Sequence, residues 1–317
     1  MDRLLDPKND WAFKQIFGEE KNKKILISFL NDVLEEHVLH EDKITNVSFL
    51  KVELDKEIAV LRQSIVDVLC KTRDGTHFIV EMQRASDSGF LQRAVEYASR
   101  VYLTQRTKDK KKKNDKGGYK KLRPVVFLAI MEETLFPNKS HYLSHHQIRD
   151  IFTGEHDLKQ MSFSFLELSK FNKSFESLKT NLDRWSYFFK NAETIDPKDL
   201  NQILKEKGIF EKAYKALERS GYTPEQLLEY DRTRLKQEEI EARIYDARKQ
   251  EREKAEAEKR ELEAKAEAEK KELEAKAEAE KIESAKKMLL KGLSLNDISE
   301  FTGLSIEEVV ALKKKIQ

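Results

Sequence analysis

One block of the chain, from about residue 236 to 287, consists almost entirely of Glu, Lys, Ala and Arg. Such a composition favours helix but offers very little apolar surface to bury. The segment ELEAKAEAEKK at 261–271 recurs nearly unchanged from Glu272, which gives an 11-residue repeat. Because this period slightly exceeds that of the natural helix, any supercoil would be weakly right-handed. The large apolar residues of the repeats are Leu262 and Leu273. The block is therefore either a single helix held by i,i+4 ion pairs or a coiled coil that joins copies of the chain into a homo-oligomer.

The remaining chain must supply the globular part. With 317 residues, 39 % of them apolar, it is long enough for a core and for more than one domain. Lys and Arg (60) nearly balance Asp and Glu (58), so any attraction to nucleic acid must come from local clusters. The single cysteine, Cys70, excludes a disulfide scaffold and a cysteine-based zinc site. With no signal peptide and no apolar run of membrane-spanning length, we expect a cytoplasmic protein without membrane contact.

Helical and strand patterns alternate in the N-terminal part of the chain. Residues 20–36 and 90–106 have apolar side chains at helical spacing. Residues 44–54, 64–71 and 77–83 are short, β-branched or aromatic runs, and 124–131 is typical of a strand buried on both faces. The order of helix, three strands, helix and strand predicts a mixed α/β sheet flanked by helices.

Two of these strands carry acidic residues in otherwise apolar runs, Asp67 in SIVDVLC and Glu81 in FIVEMQ. Side chains alternate along a strand, so Glu81 and Gln83 share one face while Cys70 points away from the face of Asp67. A two-residue Asp-Gly turn would set Asp67 opposite Met82, on the wrong face for Glu81. We favour a three-residue turn at 73–75, with Gly75 in the left-handed position, which pairs Asp67 with Glu81.

Two carboxylates so placed would repel each other unless a cation lies between them. A small set of hard oxygen ligands suits Mg²⁺ or Mn²⁺, ions that retain waters and bind phosphate oxygens. The alternative is that each acid is buried and satisfied by an Arg or a Lys, which is realistic for either acid alone but less so for both on adjoining strands.

At these residues the sequence resembles the PD-(D/E)XK nuclease superfamily, and specifically the Rpn family of recombination-promoting nucleases, also described as transposases. The resemblance extends over the globular part and the C-terminal segment. Each motif is short, but their order and spacing together are fairly specific. The motifs are NDWAFKQIFG (9–18), IVDVL (65–69), VEMQ (80–83), FLQRAVEYASRVYLTQ (90–105), GYKKLRPVV (118–126), FLELSKF (165–171) and AKKMLLKGLS (285–294).

The resemblance implies a PD-(D/E)XK restriction-endonuclease-like core and a site on the two strands. It implies that Asp67 and Glu81 bind the metal ion, with the Met82 carbonyl as a third ligand. Gln83 stands where the wider superfamily usually has lysine, and a neutral amide can position groups only by hydrogen bonds. The missing positive charge then comes from elsewhere, and Lys14 and Arg93 are the candidates.

Further residues could surround this site. Asp10 is interpreted first as a helix N-cap and otherwise as an additional acid near the metal. Tyr97, Tyr102 and Gln105 follow Arg93 along one helix at i+4, i+9 and i+12, so some of them could face the site and orient ligands or DNA. For the two tyrosines, a place at the edge of the core is the more common role.

Two lysine clusters are candidates for DNA contacts. The segment 108–121, which includes Lys110, Lys111, Lys112 and Lys113, is predicted as a solvated loop that can also touch phosphates. The chain ends in two predicted short helices, around Gly303, of which the second begins at Ile306 behind a Ser305–Glu308 capping box. This unit is either a helix-turn-helix, with Lys313, Lys314 and Lys315 near its end, or a helical cap on the long helix.

These patterns divide the chain into four segments. We predict a nuclease-like domain over 1–195, a helical connector over 196–235, the charged long helix over 236–287 and a helix-turn-helix-like unit over 288–317. The function predicted is divalent-metal-dependent endonucleolytic hydrolysis of DNA phosphodiester bonds, of the recombination-promoting or transposase-like type. The alternative is a catalytically weak DNA-binding or assembly protein that retains the nuclease fold.

Overall fold

The computed structural model describes residues 4–39, 43–50, 66–85, 88–110 and 118–316, with the backbone alone at 35–39 and 106–110. The chain divides into two compact units, Met1–Glu241 and Ala242–Gln317. None of the described helices is both long and apolar enough to cross a membrane.

The first unit is built on a mixed sheet. Its described strands are β1 (Val47–Phe49), β2 (Val68–Thr72), β3 (His77–Gln83), β4 (Val125–Met131), β5 (Leu143–Ile148) and β6 (Leu158–Glu167), in the spatial order β1-β2-β3-β4-β6-β5. Strands β3, β4 and β6 are parallel, and the other pairs are antiparallel. The predicted strands at 77–83 and 124–131 are confirmed, whereas those at 44–54 and 64–71 extend partly outside the described residues.

Helices cover both faces of this sheet, as the sequence predicts. Helices α1 (Asp10–Phe17) and α2 (Lys23–Leu39) contribute to the larger apolar core, and α3 (Phe90–Lys110) contributes to the smaller one. Strand β3 alternates between them, with Phe78, Val80 and Met82 in the larger core and Ile79 in the smaller. Because side chains alternate along a strand, Glu81 and Gln83 lie on the face that α3 covers.

The chain that follows the sheet also packs against it. Helices α4 (Asn181–Asn191), α5 (Pro197–Lys205) and α6 (Ile209–Lys215) precede the long helix α7 (Pro224–Leu290). Trp185, Phe210 and Tyr214 belong to the larger core, and so does Tyr230 on α7. The segment 196–235, described from sequence as a connector, is therefore part of the same core as the sheet.

Strands β5 and β6 are the elements that the sequence patterns did not predict. Strand β5 reads LSHHQI, and β6 reads LKQMSFSFLE, in which serine and phenylalanine alternate. Strand β5 lies at an edge of the sheet, where polar side chains are tolerated and the apolar signal is weak.

The second unit contains the remainder of α7 with α8 (Leu295–Thr302) and α9 (Ile306–Ile316). Ala285, Ile298, Leu304 and Val309 form a small buried core. The predicted start of α9 is confirmed, because Ser305 and Glu308 form the reciprocal bonds of a capping box. Gly303 ends α8 with a φ of +70°. Along α7, i,i+4 pairs such as Lys265–Glu261 and Lys276–Glu272 line a fully exposed surface.

Candidate active site

The β2–β3 hairpin sets the two acids side by side. Its register pairs Val68 with Val80 and Lys71 with His77, and Asp67 directly precedes Val68 while Glu81 directly follows Val80. The turn closes with a hydrogen bond from Thr72 N to Thr76 O of 3.0 Å, and Gly75 has a φ of +95°. The predicted three-residue turn is confirmed, and it depends on a glycine because an L side chain rarely adopts this φ.

Asp67 is held from two sides. Its Oδ2 accepts a hydrogen bond of 2.9 Å from the main-chain N of Met82, and its Oδ1 lies 3.2 Å from Nζ of Lys14 on α1. The side chain is 8 % exposed. Burial raises the pKa of Asp67 above its usual range, although the charge of Lys14 and the bond from Met82 oppose the shift.

The carboxylate of Glu81 has weaker contacts than that of Asp67. Burial raises its pKa to about 7, and the nearby negative charge of Asp67 adds to the effect, whereas Arg93 opposes it. Arg93 Nη2 is 3.9 Å from Oε1 of Glu81, which is a weak contact. The other oxygen, Oε2, is buried and has no hydrogen-bond partner among the described residues. A buried carboxylate oxygen without a partner is unfavourable unless something else binds it.

Gln83 links the strand to helix α3. Its Oε1 accepts a hydrogen bond of 3.0 Å from Nη2 of Arg93, and its Nε2 donates one of 2.6 Å to the carbonyl of Ala85. Arg93 thus contacts both Gln83 and Glu81. The two cations that the sequence offers in place of a lysine at position 83 are both present, Lys14 beside Asp67 and Arg93 beside Gln83.

The interpretation of Asp10 as a helix cap is wrong. Asn9 is the N-cap of α1, and its Oδ1 accepts hydrogen bonds from the main-chain N of Trp11 and of Ala12. Asp10 is instead the first residue of the helix, and its negative charge contributes to raising the pKa of both Asp67 and Glu81. The alternative interpretation, an additional acid near the metal, stays a prediction, which the effect of the Asp10 charge on both acids supports.

The other candidates on α3 have contacts of a different kind. Tyr97 is buried in the smaller core, and Tyr102 packs against it. Gln105 forms two hydrogen bonds with the main chain of Arg123, of 3.0 and 2.8 Å, and so holds the start of β4. Among these candidates, Arg93 is the one with a described ion pair to the acids, through Glu81.

The donor set fits a hard divalent cation in part. In the part of the chain that the structure describes, no three His, Cys, Asp or Glu side chains are grouped closely enough to hold a metal ion. Asp67 and Glu81 offer two adjoining carboxylates, and the unpartnered Oε2 of Glu81 is the kind of oxygen that such a cation binds. With two protein carboxylates, the remaining ligands would be waters, substrate oxygens and a main-chain carbonyl, a pattern usual for Mg²⁺.

The lysines predicted to contact DNA lie only in part among the described residues. Lys111, Lys112 and Lys113, and the side chain of Lys110, lie outside the described residues. Lys313, Lys314 and Lys315 are exposed in the last turn of α9. Ser294 caps α8 and Ser305 caps α9, so the C-terminal unit has the predicted pair of short helices.

One residue that contacts Asp10 could not be identified as part of the site from the sequence. Gln237, on α7, donates a hydrogen bond of 3.1 Å from Nε2 to Oδ1 of Asp10 and accepts one of 3.1 Å from Nδ2 of Asn9. It lies in the charged helical block, more than 220 residues from its partners, where a glutamine looks like any other surface residue. Only the fold brings it here.

The mixed sheet with helices on both faces is a PD-(D/E)XK α/β fold, so the protein falls in a class whose members are nucleases and related enzymes. Residues 7–245 match the family model described as PD-(D/E)XK nuclease family transposase, and the chain belongs to that family. This agrees with the resemblance seen in the sequence motifs. No curated protein and no solved structure matches the chain.

Proposed function

We propose that the protein is a divalent-metal-dependent DNA endonuclease in which Asp67 and Glu81 bind Mg²⁺ or Mn²⁺. The family supports a nuclease or transposase-like function in general. The observation that carries the specific proposal is the unpartnered, buried Oε2 of Glu81 beside the carboxylate of Asp67. A structural role would leave this oxygen paired, whereas a cation-binding role requires it to be available.

The residues around the acids then have distinct roles. A bound divalent ion would supply the Lewis acidity that in-line hydrolysis of a phosphodiester requires. Asp67 and Glu81 hold the ion, with the Met82 carbonyl as a third ligand. Lys14 and the pair of Gln83 with Arg93 bind the scissile phosphate and balance its charge, which a lysine at position 83 does elsewhere in the superfamily.

A plasmid-nicking assay tests this proposal. The full chain should nick supercoiled DNA with Mg²⁺ or Mn²⁺ and not with EDTA. Asp67→Asn and Glu81→Gln should each lower the rate by roughly 100-fold or more while DNA affinity stays near wild type. Asp157→Asn, which changes an exposed acid away from the pair, is the matched control. DNA binding without divalent-dependent nicking in the wild type would favour the binding or assembly protein instead.

DNA affinity is proposed to come from the lysine clusters, apart from the acids. Replacing Lys110 to Lys113 with glutamine should weaken binding equally across sequences, and each lost phosphate contact should lower the log-log salt slope by roughly 0.9. Replacing Lys313 to Lys315 should instead reduce sequence preference if the C-terminal unit is a helix-turn-helix. A gel-shift salt titration distinguishes the two, and an unchanged slope would exclude phosphate contacts by the first cluster.

A further inference from the structure

The start of the long helix α7 lies against the candidate site. Three residues on it, Tyr230, Gln237 and Glu241, are spaced by seven and four positions, which places them on one face of the helix. All three belong to the first unit, and each contacts a residue next to the acids or close to α1 in the sequence.

These contacts run along one side of the site. The hydroxyl of the buried Tyr230 accepts a hydrogen bond of 3.1 Å from the main-chain N of Asp6. One turn beyond Gln237, Glu241 Oε1 lies 3.0 Å from Nε of Arg84, the residue that follows Gln83. The same guanidinium lies 3.3 Å from Oδ2 of Asp6. The helix is thus fixed to both segments that border the acid pair.

Between these anchors, Gln237 contacts Asp10 directly. Its Nε2 donates to Oδ1 of Asp10, and its Oε1 accepts from Nδ2 of Asn9, so both ends of the amide are used. A glutamine with two directed hydrogen bonds has little rotational freedom, and it restricts the carboxylate that it binds. The carboxylate in question is the third negative charge that acts on Asp67 and Glu81.

We propose that Gln237 is a positioning residue that orients the Asp10 carboxylate beside the paired acids, so that α7 completes the cation site. Asp10 lies outside any three-carboxylate ligand set among the described residues. It would therefore act through its charge, which adds to that of the two carboxylates. Groups of this kind, which hold or orient the ligands of a metal, commonly change its affinity when they are removed. This inference rests on the proposed metal-dependent function.

A double-mutant cycle in the full chain tests the proposal. The variants are Gln237→Ala, Asp10→Asn and the two combined, with Gln250→Ala on the exposed part of the same helix as the control. The first readout is the Mn²⁺ dissociation constant in the absence of DNA, from the electron paramagnetic resonance signal of free Mn²⁺. The second is the separate effect on kcat and KM for plasmid nicking, and urea unfolding reports the stability of each variant.

If Gln237 acts through Asp10, Gln237→Ala should raise the Mn²⁺ dissociation constant roughly 10-fold and lower kcat by a similar factor, with KM nearly unchanged. The combined variant should be no worse than Asp10→Asn alone, because the partner is already gone. Gln250→Ala should match wild type.

Two results would overturn the inference while leaving the proposed function intact. One is a Gln237→Ala variant with wild-type Mn²⁺ affinity and kcat. The other is an effect that adds fully to that of Asp10→Asn, since a purely structural contribution to folding is additive at separate sites. Failure of the proposed function looks different, because wild type itself would then neither bind Mn²⁺ through Asp67 and Glu81 nor nick DNA.

Discussion

Nη2 of Arg93 donates a hydrogen bond of 3.0 Å to Oε1 of Gln83. An arginine on helix α3 and an amide on strand β3 thus stand together at the position where the wider superfamily usually has one lysine. In the proposed site, the positive charge would come from the neighbouring helix, and the strand residue would direct it. This arrangement makes the two residues interdependent, so their effects on catalysis should not be additive.

Substitutions of Gln83 and Arg93, singly and together, test this interdependence. Gln83→Ala and Arg93→Gln should each lower kcat by roughly 10- to 100-fold, since each removes directed stabilisation of the phosphate. Gln83→Lys should be less active than wild type while Arg93 remains, because two cations would then repel each other at hydrogen-bond distance. The double change of Gln83→Lys with Arg93→Gln should recover activity relative to Arg93→Gln. Plasmid nicking under single-turnover conditions measures all four, and a fully active Gln83→Lys variant would contradict the pairing.

Lys14 should affect turnover more than ion binding. Its ammonium lies 3.2 Å from Oδ1 of Asp67. In the proposed site it would compete with a metal ion for this carboxylate and would supply charge for a phosphate. Lys14→Met should therefore lower kcat by about 10-fold or more while leaving the Mn²⁺ dissociation constant equal or smaller. Lys24→Met, on the exposed side of α2, is the control. Weaker Mn²⁺ binding with unchanged kcat would show that Lys14 only supports the fold.

Glu81 should make the metal-free protein sensitive to pH. Its pKa is about 7 in the folded protein against an ordinary value of 4.5, so the folded state binds the proton more tightly than the unfolded state does. This contribution to the free energy of unfolding is fully present below about pH 4.5 and is lost as the pH rises through 7. Its size is on the order of 3 kcal/mol for a shift of this extent.

Glu81→Gln, which mimics the protonated side chain, should isolate this effect. In EDTA at pH 8 the variant should be more stable to urea than wild type, and at pH 5 the two should be nearly equal. Adding Mn²⁺ at pH 8 should stabilise wild type and not the variant, because the ion replaces the proton. A stability difference that stays constant from pH 5 to pH 8 would contradict the assignment of the raised pKa to Glu81.

The charged part of α7 should behave as a single helix. Leu262 and Leu273 are about three-quarters exposed and 11 residues apart, and two leucines per chain bury far less area than a stable dimer requires. We expect sedimentation velocity to give a monomer at micromolar concentration. Replacing both leucines with glutamine should leave the sedimentation coefficient and the helical ellipticity unchanged. A concentration-dependent oligomer that the double variant abolishes would establish the coiled coil instead.

Of the features of the site, the turn and register of the β2–β3 hairpin were predicted most completely from the sequence. The turn TRDGT allows two loop lengths, but only the three-residue loop brings Asp67 and Glu81 to the same face, and Gly75 has the positive φ that this loop needs. Local chemistry and the alternation of strand side chains were enough because both strands are adjacent in the chain.

The contacts of α1 could not be predicted in the same way. Asn9 and Asp10 are equally good N-cap residues by type, so the sequence does not decide which one begins the helix. In the folded chain, Gln237 forms hydrogen bonds with both residues. It comes from a segment that its composition identifies only as a charged helix, so the sequence does not reveal these contacts. From composition, we predicted that the charged long helix begins near residue 236. Packing places the end of the first compact unit after Glu241.

The buried position of Cys70 gives the protein a built-in reporter of sheet opening. Its thiol is the only one in the chain, it lies between Phe49 of β1 and Phe78 of β3, and burial raises its pKa to about 12. A thiolate is the reactive form, so alkylating reagents should react with Cys70 only when these strands separate. The rate of alkylation in the native chain therefore measures how often the hairpin that carries both acids opens. An engineered surface cysteine could likewise be labelled without removing the native one.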